Sequence, residues 1–99
     1  MANITGYKYS YHSKSGTSRA SIQLLNGALP VGYIDFVPDG EPIPDPYVRY
    51  RAVFMVLPKS DLVGVVDMLR NESPIFCSID STGNARISTY LEEAGEGET

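Results

Sequence analysis

The chain has 99 residues, of which 42% are hydrophobic and 20% are charged, and its formal net charge is −4. These values are typical of one globular domain that buries a core without disulfides or structural metals. The single cysteine, Cys77, excludes an internal disulfide and a cysteine-based metal site. Because no apolar run reaches the ~18 residues of a membrane-spanning helix and no signal-peptide pattern is present, we expect a cytoplasmic protein.

The charges are unevenly distributed along the chain. Residues 1–34 carry three basic residues and no acid, whereas residues 35–48 carry four acids and no base. We expect a single domain over residues 1–91, followed by a flexible acidic tail over residues 92–99 that has no apolar content to bury. The acidic total disfavours nucleic acid as a partner, since non-specific binding depends on neutralising phosphates.

The first part of the chain has the period of two that is typical of strands. Residues 4–11 alternate between polar side chains and the aromatic side chains of Tyr7, Tyr9 and Tyr11. A stretch rich in turn residues follows, and residues 19–25 alternate again. The two runs are therefore predicted to form a β-hairpin.

Two further strands are expected before the helix. Asn26-Gly27 favours a tight turn into a third strand at residues 31–37. The four prolines of residues 38–46 indicate a connecting loop, and an exposed docking arm is the alternative. The longest strand is then expected over residues 47–57.

The two faces of the predicted strand 47–57 differ in character. We expect its more apolar face to meet the helix, and this face comprises Val48, Tyr50, Ala52, Phe54 and Val56. The opposite face mixes charged and apolar residues, namely Arg49, Arg51, Val53 and Met55. Such a mixed face predicts partial coverage by another strand, a loop or a second copy of the chain.

A helix is expected over about residues 60–72. Its apolar stripe has the i, i+3, i+4, i+7 spacing of one helix face and consists of Leu62, Val65, Val66 and Leu69. Ser60 is the expected N-cap, and Pro74 prevents continuation of the helix. Short strands are expected at residues 75–79 and 85–91. The chain is thus predicted to be an α+β domain, an antiparallel sheet of about six strands in ββββαββ order packed against one helix.

Nothing in the sequence indicates catalysis, a cofactor or a metal site. His12 is the only histidine, and no neighbouring residue is evident as its partner in acid–base chemistry. Cys77 lies in an apolar run without a basic neighbour that would lower its pKa. Residues 80–84 begin like a calcium loop, but Leu91 stands where the bidentate glutamate is required.

We therefore expect a non-catalytic module for protein interaction or self-association, most simply a homodimer. The candidate interaction residues are Tyr7, Tyr9, Tyr11, Arg49, Arg51, Val53 and Met55. One alternative is a single-stranded nucleic-acid-binding module, because aromatic rings beside cations on a sheet stack bases and follow phosphates. A second alternative is a small-ligand-binding protein, which requires a pocket that a sequence does not reveal.

The C-terminal half resembles a known group of proteins. The matching residues are Pro58, the run 66–75, Gly83-Asn84 and residues 95–98. They resemble small uncharacterised bacterial proteins that are grouped as domains of unknown function. This resemblance implies a bacterial cytoplasmic protein and assigns no activity. The strand-then-helix order also resembles, in a general way, the Whirly and positive-cofactor families of single-strand DNA-binding proteins.

Overall fold

A computed structural model describes residues 2–14 and 17–89 of the chain. The elements in these two ranges are β1 (Ala2–Ile4), β2 (Gly6–Lys14), β3 (Thr17–Asn26), β4 (Leu29–Val37), β5 (Tyr47–Arg49), β6 (Ala52–Pro58), a 3-10 helix (Lys59–Asp61), α1 (Leu62–Asn71), β7 (Ile75–Ile79) and β8 (Ala85–Thr89). The α+β class with one α-helix is confirmed within this part of the chain. The expected single sheet of six strands is wrong. The strands form a five-stranded sheet in the order β2-β3-β4-β6-β5 and a three-stranded sheet in the order β1-β7-β8.

The N-terminal run serves both sheets, which explains why a single sheet was the wrong prediction. The chain breaks its strand at Thr5, so that β1 pairs with β7 and β2 pairs with β3. The Thr5 backbone N–H donates to the Leu25 carbonyl at 2.8 Å, and the Gly27 N–H donates to Thr5 Oγ1 at 2.7 Å. The β2–β3 hairpin that the alternating residues predicted is confirmed, and β2 extends beyond the expected end at residue 11.

The five-stranded sheet is mixed, because β4 and β6 are parallel while its other pairs are antiparallel. β4 ends with Val37 opposite Pro58, and β5 begins with Tyr47 opposite Phe54 on the far side of β6. The loop 38–46 must therefore cross β6 before the chain returns into it. This crossing is what allows two strands so close in sequence to run parallel.

The predicted continuous strand 47–57 is wrong. Tyr50 and Arg51 have φ angles of 53° and 65°, and they form a two-residue turn between the paired residues Arg49 and Ala52. Positive φ at both central positions is the conformation of a type I′ hairpin turn. The chain therefore reverses in the middle of the expected strand and makes the β5–β6 hairpin.

This reversal also inverts the face assignment that the sequence suggested. Val48 pairs with Val53, so the two share a face, whereas an uninterrupted strand would place them on opposite faces. Val53 and Met55 are each 7% exposed and lie in the core, which overturns their expected place on a mixed outer face. Phe54, expected to meet the helix, instead stacks on the opposite side of the sheet.

The helix packs as its period predicted, but its first turn is built differently. All four stripe residues, Leu62, Val65, Val66 and Leu69, belong to the core or pack against it. The Ser60 side chain makes no cap. Instead, the Ser60 backbone N–H donates to Asp39 Oδ1 at 3.0 Å, so the proline-rich loop supplies the carboxylate that the first turn attracts. No helix in the described ranges is long and apolar enough to span a membrane.

The core lies between the inner face of the five-stranded sheet and the layer formed by α1 and the three-stranded sheet. At Gly32, side chains of β3 and β7 leave no room for a side chain on β4. A Cβ atom at Gly32 would lie 2.9 Å from Leu24 Cδ1 and 3.0 Å from Cys77 Sγ, closer than side chains tolerate. Cys77 is 1% exposed and packs as a small apolar residue, as its sequence context indicated.

Candidate functional site

The clearest exposed apolar surface lies around β5, at one edge of the five-stranded sheet. We call it the β5 corner, and it consists of Leu29, Tyr47, Val48, Arg49, Tyr50 and Arg51. Tyr50 is 82% exposed and Leu29 is 64% exposed, and these two residues line one shallow depression between β4 and the β5–β6 turn. Single exposed apolar residues are ordinary, but a cluster at a strand edge is typical of an interaction site.

A row of stacked aromatic rings holds the β5 corner in place. Phe54 lies between Tyr33 and Tyr47, with ring centroids 4.7 Å and 5.1 Å apart and interplanar angles of 14° and 5°. Gln23 Nε2 donates to the Tyr33 hydroxyl at 3.1 Å. Phe54 covers one face of the Tyr47 ring, and this stacking stabilises the three-residue strand β5. The other face of the Tyr47 ring remains available for a partner.

The β5–β6 turn carries unusual residues for its conformation. Asn-Gly and Asp-Gly are the pairs that best suit a type I′ turn, and other L-residues cost roughly 1–2 kcal/mol each in the left-handed region. Here Tyr50 and Arg51 occupy both positions. The Arg49 guanidinium lies 5.1 Å from the Tyr50 ring centroid and its Nη2 is 3.5 Å from the Tyr50 hydroxyl. Backbone strain that presents large side chains to solvent is a signature of functional surfaces.

Charges of both signs border β5. Asp45 precedes the strand, while Arg49 ends it and Arg51 lies in the turn. Neither Asp45 nor Arg51 forms an ion pair or a hydrogen bond with another residue of the described part of the chain. The corner therefore offers an acid at one end of a short strand and bases at the other.

The tyrosine strand lies at the opposite edge of the sheet. Tyr7, Tyr9 and Tyr11 share the inner face with the core residues of β3, and Tyr7 packs against the core. The Tyr9 hydroxyl donates to the Tyr11 hydroxyl at 2.6 Å, and this hydrogen bond raises the pKa of Tyr9. Lys8 lies on the outer face of the same strand, so the rings and this lysine are on opposite sides, as the sequence indicated.

The structure thus separates the seven candidate interaction residues. Arg49 and Arg51 belong to the β5 corner, and the three tyrosines of β2 lie about 19 Å away across four strand spacings. Val53 and Met55 lie in the core. Sequence reasoning missed Leu29, Tyr47 and Tyr50, because the turn that brings them together contains none of the residues that mark type I′ turns.

Cys77 and the turn at residues 80–84, which the sequence analysis considered for chemistry, make contacts that stabilise the fold. Burial raises the pKa of the Cys77 thiol to about 11, so the thiolate is scarce at neutral pH. Asp80 accepts hydrogen bonds from Thr82 and Asn84 and pairs with Arg86 at 3.1 Å, and the bond from the Thr82 side chain is the main cause of its lowered pKa. No three His, Cys, Asp or Glu side chains gather within residues 2–14 and 17–89.

Comparisons of the chain with models of protein families, with curated proteins and with solved structures found no match. The resemblance to bacterial domains of unknown function and the general resemblance to single-strand DNA binders stay predictions. Functional inference therefore depends on the surfaces themselves.

Proposed function

We propose that the protein is a non-catalytic interaction module that forms a homodimer through the β5 corner. The observation that carries this proposal is the left-handed turn at Tyr50-Arg51. It places an almost fully exposed ring beside an unpaired strand edge, against the local preference of the backbone. A partner surface that covers Tyr50 would explain why the chain keeps a locally unfavourable turn that exposes this ring.

A second copy fits this edge because, in an antiparallel dimer, the acid at one end of β5 lies near the bases at the other end of the second β5. If β5 pairs antiparallel with β5 of a second copy about a two-fold axis at Val48, Tyr47 lies opposite Arg49 of that copy. Asp45, just before β5, then lies at the end of the interface where the second copy carries its Tyr50-Arg51 turn. An isologous interface uses one patch twice, so each such pair occurs twice. The arrangement joins two five-stranded sheets into one.

Pro46 limits the pairing to a short segment, since it has no N–H to donate. Three residues of strand supply few hydrogen bonds, so the affinity must come mainly from burial of apolar side chains at the corner. An interface of this kind belongs to the small size class, for which we expect a dissociation constant in the micromolar range.

The test is the mass in solution, measured by sedimentation equilibrium over roughly 1–500 μM, a range that brackets a micromolar Kd. We expect the mass to rise from 10.8 kDa toward twice that value. Val48→Asp buries an unpaired charge at the two-fold axis and should weaken the dimer by roughly tenfold or more.

Val63→Asp is the matched control, because Val63 is 79% exposed on α1 and lies away from β5. It should leave the dimer unchanged. A mass of 10.8 kDa at every concentration contradicts the proposal. So does a dimer that Val48→Asp leaves intact.

A further inference from the structure

The other edge of the five-stranded sheet, β2, has different surroundings from β5. We propose that β2 binds an extended acidic segment of another protein as an added strand, which lies between β2 and α1. This surface and its partner are separate from the proposed dimer. Strand addition is a common mode of peptide recognition, in which backbone hydrogen bonds give affinity and alternate side chains give specificity.

The edge itself is long and regular. β2 pairs with β3 over nine consecutive residues, from Gly6 opposite Leu25 to Lys14 opposite Thr17, and no described strand pairs with its other side. Every second residue of such an edge directs its N–H and C=O groups away from the sheet. β2 contains no proline, so these donors and acceptors form an uninterrupted row.

An apolar groove runs beside this row. It lies between the exposed rings of Tyr9 and Tyr11 and the helix residues Val63 and Val66, and its volume is about 210 Å³. Val63 is 79% exposed, more than any other large aliphatic side chain among the described residues. In an added strand, side chains alternate between faces. One set would therefore enter this groove and cover Val63.

The basic side chains beside the β2 edge favour an acidic segment as the added strand. β2 and β3 contain no acid, and the Lys8 side chain lies on the outer face of β2 without a hydrogen bond or ion pair to another described residue. Asp35, which lines the same outer-face cavity, lies two strands away in β4. Arg70 borders the groove on the helix side, while the acid there, Asp67, accepts a hydrogen bond from Asn71 at 2.7 Å. The outward-facing side chains of an added strand would lie beside Lys8, where carboxylates are favoured.

A second copy of β2 is a poor occupant for the same reason. The strand carries Lys8 and Lys14 and no acid, so no antiparallel register of two copies places an acid opposite a lysine, and one register places Lys8 opposite Lys14. Like charges facing each other across strands are destabilising. The self-complementarity of the β5 corner is absent here, so the partner must supply the acids.

The experiment uses fluorescence anisotropy with two labelled heptapeptides, Val-Glu-Val-Glu-Val-Glu-Val and the same peptide with lysine in place of glutamate. The full chain should bind the glutamate peptide roughly tenfold or more tightly than the lysine peptide, and Lys8→Glu should reverse the order. Methylation of alternate peptide nitrogens should abolish binding, because it removes the donors that pair with β2.

Val63→Asp should weaken glutamate-peptide binding roughly tenfold, while Val48→Asp, which alters only the β5 corner, should leave it unchanged. Equal binding of both peptides overturns the proposal, as does binding that survives nitrogen methylation or no binding at about 1 mM peptide. Displacement of the peptide by a thymidine oligonucleotide together with tolerance of methylation would identify a general anion surface, and would also overturn it. Circular dichroism of each variant establishes that it is folded.

Discussion

Within the described residues, the two edges of the five-stranded sheet leave the same kinds of backbone group unpaired but surround them with different side chains. β5 has three residues and is bordered by the strained Tyr50-Arg51 turn and by charges of both signs. β2 has nine residues, bases only and an apolar groove along α1. The charges and length of an edge decide which partner it accepts. We therefore propose a second copy as the partner of the mixed edge and a foreign acidic strand as the partner of the basic edge.

The largest expected effect is a loss of stability when a core side chain beneath the five-stranded sheet is shortened. Leu69→Ala removes a buried side chain that anchors α1 to the sheet, and it should lower the free energy of unfolding by about 2–5 kcal/mol. Urea denaturation measures this loss, with the exposed Val63→Ala as a control that should change it by less than about 0.5 kcal/mol. An equal loss in both variants would mean that the helix does not depend on its inner stripe.

The stripe of α1 and the β2–β3 hairpin could be predicted from sequence, because each has an unbroken period that packing preserves. The β5–β6 turn could not. Tyr50 and Arg51 favour a strand by their residue types, and only the tertiary pairing of Arg49 with Ala52 requires left-handed backbone. A reversal inside an apparent strand changes the face of each following residue.

Only part of the candidate site could be predicted from the sequence, because its residues lie on both sides of the β5–β6 turn. Arg49 and Arg51 lie at a proposed interface because they flank or form the turn. Val53 and Met55 lie in the core because they follow it. β2 is an edge strand because β6 pairs with β4 and not with β2. No local pattern encodes that pairing.

A turn replacement separates folding from association at the β5 corner. The double variant Tyr50→Asn, Arg51→Gly gives the type I′ turn its preferred residues and should raise the free energy of unfolding by about 2 kcal/mol. The same variant should weaken the dimer, because the exposed ring and the Arg51 charge are lost. Denaturation is measured at a concentration well below the Kd, so that dimer formation does not contribute. Lower stability in this variant would argue against backbone strain at the turn.

A charge exchange tests the register of the proposed dimer. Asp45→Arg alone and Arg51→Asp alone each place like charges at the same end of the proposed interface, and each should raise the Kd by roughly tenfold. The double variant restores opposite charges and should recover most of the affinity, as measured by sedimentation equilibrium. Independent, additive losses would show that the two residues do not face each other across the interface.

The smallest effect is expected at Asp80, which lies away from both edges. Its hydrogen bonds hold its pKa below the usual value of 3.8, so this carboxylate stabilises the fold above that pH and loses its contribution as the pH falls through the folded pKa. Asp80→Asn should therefore flatten the acid dependence of stability between about pH 5 and pH 2. At pH 7 it should change neither the dimer nor peptide binding. A change in either would connect this turn to the edges.

The most direct test of the distinction between the edges is a cysteine at the proposed two-fold axis. In the proposed dimer, the two thiols introduced by Val48→Cys would lie opposite each other, at the ~4.5–5.5 Å Cβ separation from which a disulfide closes with a small adjustment. We predict a covalent dimer on a non-reducing gel after mild oxidation, while Tyr9→Cys in β2 stays monomeric on that gel. A Val48→Cys protein that remains monomeric, or a Tyr9→Cys protein that cross-links equally well, would contradict the account.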